Sequence, residues 1–264
     1  QGRLFTSAPL NEPATTLTIN AKTHYLPSHI VDNFTKILFE GGVSNRRTAV
    51  APLAAAEYIK NFQNVPSSYF LVDIGSNMTT VSLIGKEKLY GSRFFEWGGD
   101  DITNHIMREF NISEAEAEKL KIVYGIDEKE MNFKAPIAKT TDSDGNTYKF
   151  YTSDLNAVIK SELENFVKQY TAALVDLITN PKQDSSLRSL PVVFVGGGSN
   201  LNGLINYVLP KIDNEKAMVF NPKTLGARNP TFLNCLGMLL VNRRYPSVYD
   251  ENNPKTIKLT RDQK

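Results

Sequence analysis

Two short apolar segments, each running straight into a glycine-containing bend, constrain this chain more than any other feature. Tyr69-Phe70-Leu71-Val72-Asp73-Ile74 leads into Gly75-Ser76-Asn77-Met78, and residues 190–195 lead into Gly196-Gly197-Gly198. Runs of this length, rich in β-branched and aromatic residues, read as buried strands. Thr79-Thr80-Val81-Ser82-Leu83-Ile84 gives a second strand, and a turn at 85–88 gives a third over 89–96, so the three form an antiparallel meander. Around these strands the pattern changes to helical. Ile102, Ile106 and Phe110 follow Gly98-Gly99-Asp100-Asp101 at a spacing of four, and Ser113 with Glu116 forms a capping box. A long helix covers 153–179 and a last one 231–243. Before the meander the reading is a strand at 15–19, a helix at 28–40 stopped by Gly41-Gly42, a short strand at 48–51 and an alanine-rich helix at 53–62. The fold class is α/β.

Composition narrows the function classes. The chain has 264 residues, 41% hydrophobic and 22% charged, as a globular protein does. Thirty basic residues against 28 acidic ones leave a formal charge of +2, with no electrostatic footprint for nucleic acid. A single cysteine, Cys235, makes an internal disulfide impossible and fits a reducing compartment. His24, His29 and His105 stand apart from one another and from Cys235, so no zinc-type spacing exists. No apolar run reaches the ~20 residues that span a bilayer, and the residues after Gln1 have no signal-peptide core.

The two bends carry the candidate chemistry. At the first, glycine lets backbone approach a phosphate, amide N–H groups and the Thr79 hydroxyl can donate, and Asp73 can hold a metal-bound water. An ordinary hairpin turn capped by an aspartate fits the same residues. At the second, three glycines between a strand and a helix offer bare backbone to a flat ligand at a helix N-terminus. A tight strand-to-helix turn fits equally, and the dinucleotide G-x-G-x-x-G spacing is absent. Asp142-Ser143-Asp144-Gly145 is read as a hairpin turn, because Ser153 stands where a calcium loop needs its bidentate glutamate. His105 is read as structural, Cys235 as a core residue, and Arg46-Arg47 and Arg243-Arg244 as solvated pairs.

The order of these parts resembles the second half of an actin-like ATPase, most nearly the FtsA family of bacterial cell-division proteins. That family has a strand–turn–strand phosphate motif, a Gly-Asp turn before a helix, an acidic-Leu-Lys segment and a Gly-Gly-Gly adenosine motif. Here these are 71–80, Gly98-Gly99-Asp100, Glu118-Lys119-Leu120-Lys121 and Gly196-Gly197-Gly198, and Asn229-Pro230-Thr231-Phe232-Leu233 opens a segment similar to the family's returning helix. The resemblance covers about residues 14–245 and implies an actin-like (ribonuclease H-like) fold with part of a strand–helix–strand insertion module. The N-terminal strands of the first lobe are missing from the chain, and the family's first phosphate motif would lie upstream of Gln1.

The resemblance implies ATP and Mg2+ as cofactors. Asp73 would sit by the metal or the catalytic water. Gly75, Ser76, Asn77 and Thr79 would face the phosphates, and Gly98, Gly99 and Asp100 would also belong to the cofactor site. Glu118 and Lys121 would approach ribose and base, and Gly196, Gly197 and Gly198 the adenosine. Residues 1–47 would be the remnant of the insertion module, 48–63 and 230–245 helices of the first lobe, and 64–97 with 190–229 the core of the second. Residues 98–189 would form the outer subdomain, where the family meets the tail of the tubulin homologue FtsZ, and 246–264 a flexible tail. The implied function is a weak ATPase at most, which self-associates into filaments and links the division ring to the membrane from the cytoplasmic side. Ser76, Asn77 and Thr80 replace two glycines and an acidic residue of the family motif, wording nearer to PilM, a pilus-assembly relative. A PilM-like adaptor and a nucleotide-free scaffold are therefore the other readings.

Overall fold

A computed structural model describes residues 16, 18, 25–43, 48–62, 64–86, 88–126, 135–178, 187, 189–212, 214 and 216–244. The expected strand at 15–19, the loop at 180–189, the pair Arg46-Arg47 and the tail at 246–264 lie wholly or mostly outside the described residues, as do the side chains of Arg243-Arg244. The chain divides into two units, residues 1–48 and 49–264.

The first unit contributes one described helix, α1 (Ser28–Glu40), at the expected place. Pro27 opens it and Gly42, at a φ of 74°, ends it. Ile30, Phe34, Ile37 and Phe39 are all exposed, and no residue of α1 is buried.

In the second unit, α2 (Ala51–Ile59) leads to β1 (Ser68–Ile74), β2 (Thr79–Gly85) and β3 (Lys88–Phe95). Then come α3 (Gly99–Phe110), α4 (Glu114–Tyr124), the hairpin β4 (Ala138–Thr141) and β5 (Thr147–Phe150), and α5 (Thr152–Ile178). The chain continues through β6 (Val192–Val195), α6 (Leu204–Val208), β7 (Ala217–Val219) and α7 (Leu233–Arg244). One sheet, in the order β3-β2-β1-β6-β7, organises the unit. β1 is antiparallel to β2 and parallel to β6, so the ends of β1 and β6 leave the sheet at the same edge.

Both faces of this sheet are covered, which is why its central strands are apolar at consecutive positions. Along β1 and β6, Phe70, Val72, Ile74, Val192 and Phe194 face a core built with α3, α4, α5 and α6. The alternate residues Tyr69, Leu71, Val193 and Val195 face α2 and α7. The two helices on that side cross at closest approach: a Cβ on the buried Gly237 would lie 1.9 Å from the Ala54 carbonyl oxygen.

The meander, the capping box at Ser113 and the long α5 stand as expected. Asp142 accepts hydrogen bonds from the Asp144 and Asn146 amides, as the turn of the β4–β5 hairpin. Three expectations are corrected. Residues 48–50 form no strand, because Pro52 favours a helix start and α2 begins at Ala51. A 3-10 turn (Gly197–Asn200) takes in the last two of the three glycines, and the expected helix starts only at Leu204, as the short α6. Cys235 is exposed, because α7 turns Leu233, Leu236 and Leu240 inward instead. The strand β7 carries no sequence signal beyond three apolar residues and exists through its parallel pairing with β6.

Candidate functional site

The two glycine bends meet. Parallel pairing puts Asp73 beside Val195, so the turn after β1 and the turn after β6 open at one edge of the sheet, where open α/β sheets bind ligands. Gly196 has a φ of 84°, and a Cβ there would come within 2.4 Å of both Asp73 Oδ1 and the Ile74 carbonyl oxygen. A Cβ on Gly198 would lie 2.3 Å from Ile74 Cγ2. Gly197 between them differs: it is exposed, and no atom of the described residues lies within 4 Å of where its Cβ would point. The outer two glycines are thus required by packing, whereas the middle one presents bare backbone to open space.

The first bend is gripped from behind by the start of α3. The Gly75 amide closes the turn onto the Met78 carbonyl at 3.0 Å. The Gly99 and Asp100 amides donate to the carbonyls of Gly75 and Ser76 at 2.9 and 2.8 Å. Gly98 is glycine because a Cβ would lie 2.2 Å from the Ser76 carbonyl oxygen. Gly99 also reaches the second bend, its Cβ position lying 4.0 Å from Gly198 Cα. Ser76 and Asn77 are exposed at the tip, where the Ser76 hydroxyl donates to Asn77 Oδ1 at 2.6 Å. Thr79, expected at the phosphates, is fully buried, and its hydroxyl donates to the Trp97 carbonyl at 2.8 Å. It holds the turn from inside. Asp100 also lines a polar depression with Asn77, Met78, Glu96, Asp101 and Asn104.

Trp97 itself is anchored. Its indole N–H donates to Glu162 on α5 at 3.1 Å, and Glu162 also bonds His105 Nδ1 at 2.7 Å. His105 therefore has the structural place that the sequence indicates. Glu118 and Lys121, one turn apart on α4, meet at 2.6 Å. The Lys121 ammonium also donates to the Gly99 carbonyl at 3.0 Å and the Thr103 hydroxyl at 2.7 Å, and that hydroxyl donates to Glu118 at 2.6 Å. Thr103, which sequence reasoning missed, thus joins α3 and α4 under Gly99. Partial burial pushes the Glu118 carboxyl up, but the bonds from Lys121 and Thr103 and the Lys121 charge outweigh it and hold it below the usual range.

A lowered carboxyl contributes stability that is present above its unfolded pKa, about 4.3, and is lost as pH falls through the folded value. Glu118→Gln is therefore expected to cost about 0.5–1 kcal/mol at pH 7, a small figure because the pair is partly exposed and screened. The difference in urea midpoint between variant and wild type should be full near neutral pH and shrink as pH falls below the usual carboxyl range; a gap that does not change with pH rules out the ion pair as its source.

Asp73 sits on the α7 face of β1. Burial pushes its carboxyl up, and a hydrogen bond from Asn234 on α7, with Nδ2 3.5 Å from Oδ2, partly offsets this. Among the described residues, no group of three His, Cys, Asp or Glu side chains could hold a metal by itself. A nucleotide-borne Mg2+ asks less, since phosphates and waters fill most of its shell and one carboxylate suffices. Asp73 fits that role, and beside it the buried Asn234 Oδ1 has no hydrogen-bond partner among the described residues. No helix among the described residues is long and apolar enough to cross a membrane.

Known proteins share this fold. The structure is similar to MreB5 of Spiroplasma citri bound to AMPPNP, with a TM-score of 0.66 at 14% identity over 84% of this chain and 66% of that one. It is also similar to the PilM–PilN type IV pilus biogenesis complex, with a TM-score of 0.58 at 17% identity over 81% of this chain and 58% of that one. These likenesses establish the actin-like fold. In sequence the chain is 22% identical over 214 residues to the cell division protein FtsA of Streptococcus pneumoniae, covering 80% of this chain and 45% of that protein. It spans about half the length of the curated relatives it matches. The family model described as cell division protein FtsA matches residues 70–237, which hold the meander, both glycine bends and Gly237. The chain belongs to the FtsA family of cell division proteins, with an actin-like fold.

Proposed function

We propose that this chain carries the adenosine side and the second phosphate turn of an ATP–Mg2+ site in an actin-like cell-division protein. One observation carries the reading: Gly197 faces open space while its two glycine neighbours are packed against Asp73 and Ile74. Gly196, Gly197 and Gly198 would present backbone to the adenosine. Gly75, Ser76 and Asn77 would face the phosphates, with Thr79, Gly98, Gly99 and Asp100 holding that turn in shape. Glu118 and Lys121 would meet the ribose and base, and Asp73 would hold the cation or its water. When bound, Mg2+ would neutralise phosphate charge beside the buried carboxylate. Thr80, where the family motif has a second acidic residue, limits hydrolysis, so ATP would act mainly as a conformational ligand.

On this reading the helices within 48–63 and 230–245 go with the first lobe, and 98–189 is the outer subdomain that meets the FtsZ-like tubulin homologue. The protein would self-associate into filaments and sit at the inner face of the cell membrane. A second reading, a nucleotide-free scaffold or PilM-like adaptor, draws on the Thr79 hydroxyl and the Lys121 ammonium, both already bonded within the fold. Calorimetric titration of the full-length protein with ATP, with and without Mg2+, decides between them. The first reading expects micromolar-to-millimolar binding that Mg2+ tightens, and absence of heat at millimolar ATP retires it.

A further inference from the structure

Asp73 has one side-chain neighbour that no phosphate motif supplies. Asn234 reaches it from α7, 161 positions along the chain, placing Nδ2 3.5 Å from Asp73 Oδ2. On its other side the carboxylate packs over Gly196, where a Cβ would come within 2.4 Å of Oδ1. The carboxylate is therefore held between the glycine bend and the α7 carboxamide. With Nδ2 turned to Asp73, Asn234 Oδ1 is left buried and without a partner among the described residues. A buried acceptor without a donor is costly, so the carboxamide keeps this orientation for its bond to Asp73. Across the strand pair from Asp73 stands Thr80, so the site has one acidic group there and Asn234 adds an oxygen without a second charge.

We propose that Asn234 is a positioning residue for Asp73, which makes nucleotide affinity depend on the divalent cation. Its amide N–H aims the carboxylate toward a cation that keeps its waters, as Mg2+ does. The inference rests on the reading of Asp73 as the residue beside the cation of bound ATP. It also makes α7 responsive to the nucleotide, because the turn that carries Asn234 carries Gly237, which packs on Ala54.

The test is ATP titration of the full-length protein in Mg2+ and in EDTA, for wild type, Asn234→Leu and Asn234→Asp. Leucine keeps the branching at Cγ and removes both polar atoms. It should leave metal-free affinity within about twofold and cut the Mg2+-dependent gain by roughly 10-fold, the lower range for losing a group that orients a metal ligand. Aspartate places a second carboxylate beside Asp73. It should weaken metal-free binding by repulsion and enlarge the Mg2+ gain, a change of opposite sign that a merely structural role does not produce. Unchanged emission from Trp97, the one tryptophan of the chain, checks that the variants are folded. An equal Mg2+-to-EDTA ratio in all three proteins overturns the role of Asn234 alone. A wild type that binds no ATP in either buffer removes the nucleotide reading and this inference with it.

Discussion

Gly197→Val should lose at least about 10-fold in ATP affinity, some 1.4 kcal/mol, while keeping the stability of the wild type. The separation follows from what a side chain meets there. No described atom stands within 4 Å of the Gly197 Cβ position, and its φ lies outside the left-handed region, so valine strains nothing and should change stability by about 1 kcal/mol or less. What valine does is cover the backbone that the adenosine would touch. Gly196→Ala is the control of opposite kind. At a φ of 84° a Cβ carries the left-handed penalty of about 1–2 kcal/mol. It also lies 2.4 Å from the Ile74 carbonyl oxygen, which belongs to the sheet and cannot turn aside. The combined cost should reach about 3 kcal/mol or more. Urea unfolding and ATP calorimetry on both variants check this. If Gly197→Val binds ATP as the wild type does, the open face at Gly197 is not a ligand surface.

Gly237→Val should be the most destabilising single change in the α7 region. The added Cβ would lie 1.9 Å from the Ala54 carbonyl oxygen and 3.1 Å from Ala54 Cα, so α2 and α7 must move apart. Both helices pack on the same sheet face, against Tyr69, Leu71, Val193 and Val195, so separating them loosens that core as well. Overpacking of this kind costs about 3 kcal/mol or more, far above the few tenths valine gains over glycine in helix propensity. For a unit of this size that lowers Tm by about 6–12 °C. Cys235→Ala, two residues away but exposed, should change Tm by about 2 °C at most. Thermal unfolding followed by circular dichroism measures both; a Gly237→Val variant as stable as wild type would show that the crossing is looser than the structure has it.

Local rules account for the elements that were legible. β1 and β6 are apolar at consecutive positions because both faces are covered, and Ser113 with Glu116 caps α4 whatever lies around it. β7 was not legible, since three residues carry too little pattern and only the parallel pairing with β6 makes them a strand. The start of α2 was misread because Thr48-Ala49-Val50 is as β-prone as a strand, while nothing among the described residues pairs with it. At the site, the glycines and Asp73 stand out in the sequence, but Thr103 and Asn234 do not. A threonine inside a helix and an asparagine in an apolar one gain meaning only from Lys121 and Asp73, which the fold brings to them.

Sequence alone determined that two apolar strands end in glycine bends and that an acidic residue stands at the first of them. These follow from residue type and from spacing along a few consecutive positions. The tertiary structure decided which glycine is open and which are packed, that the Thr79 hydroxyl is spent inside the turn, that Cys235 faces outward, and that Asp73 shares its surroundings with α7. Each of these depends on atoms more than ten residues away in sequence, and contacts that remote exist only once the sheet and the helices that cover it have assembled.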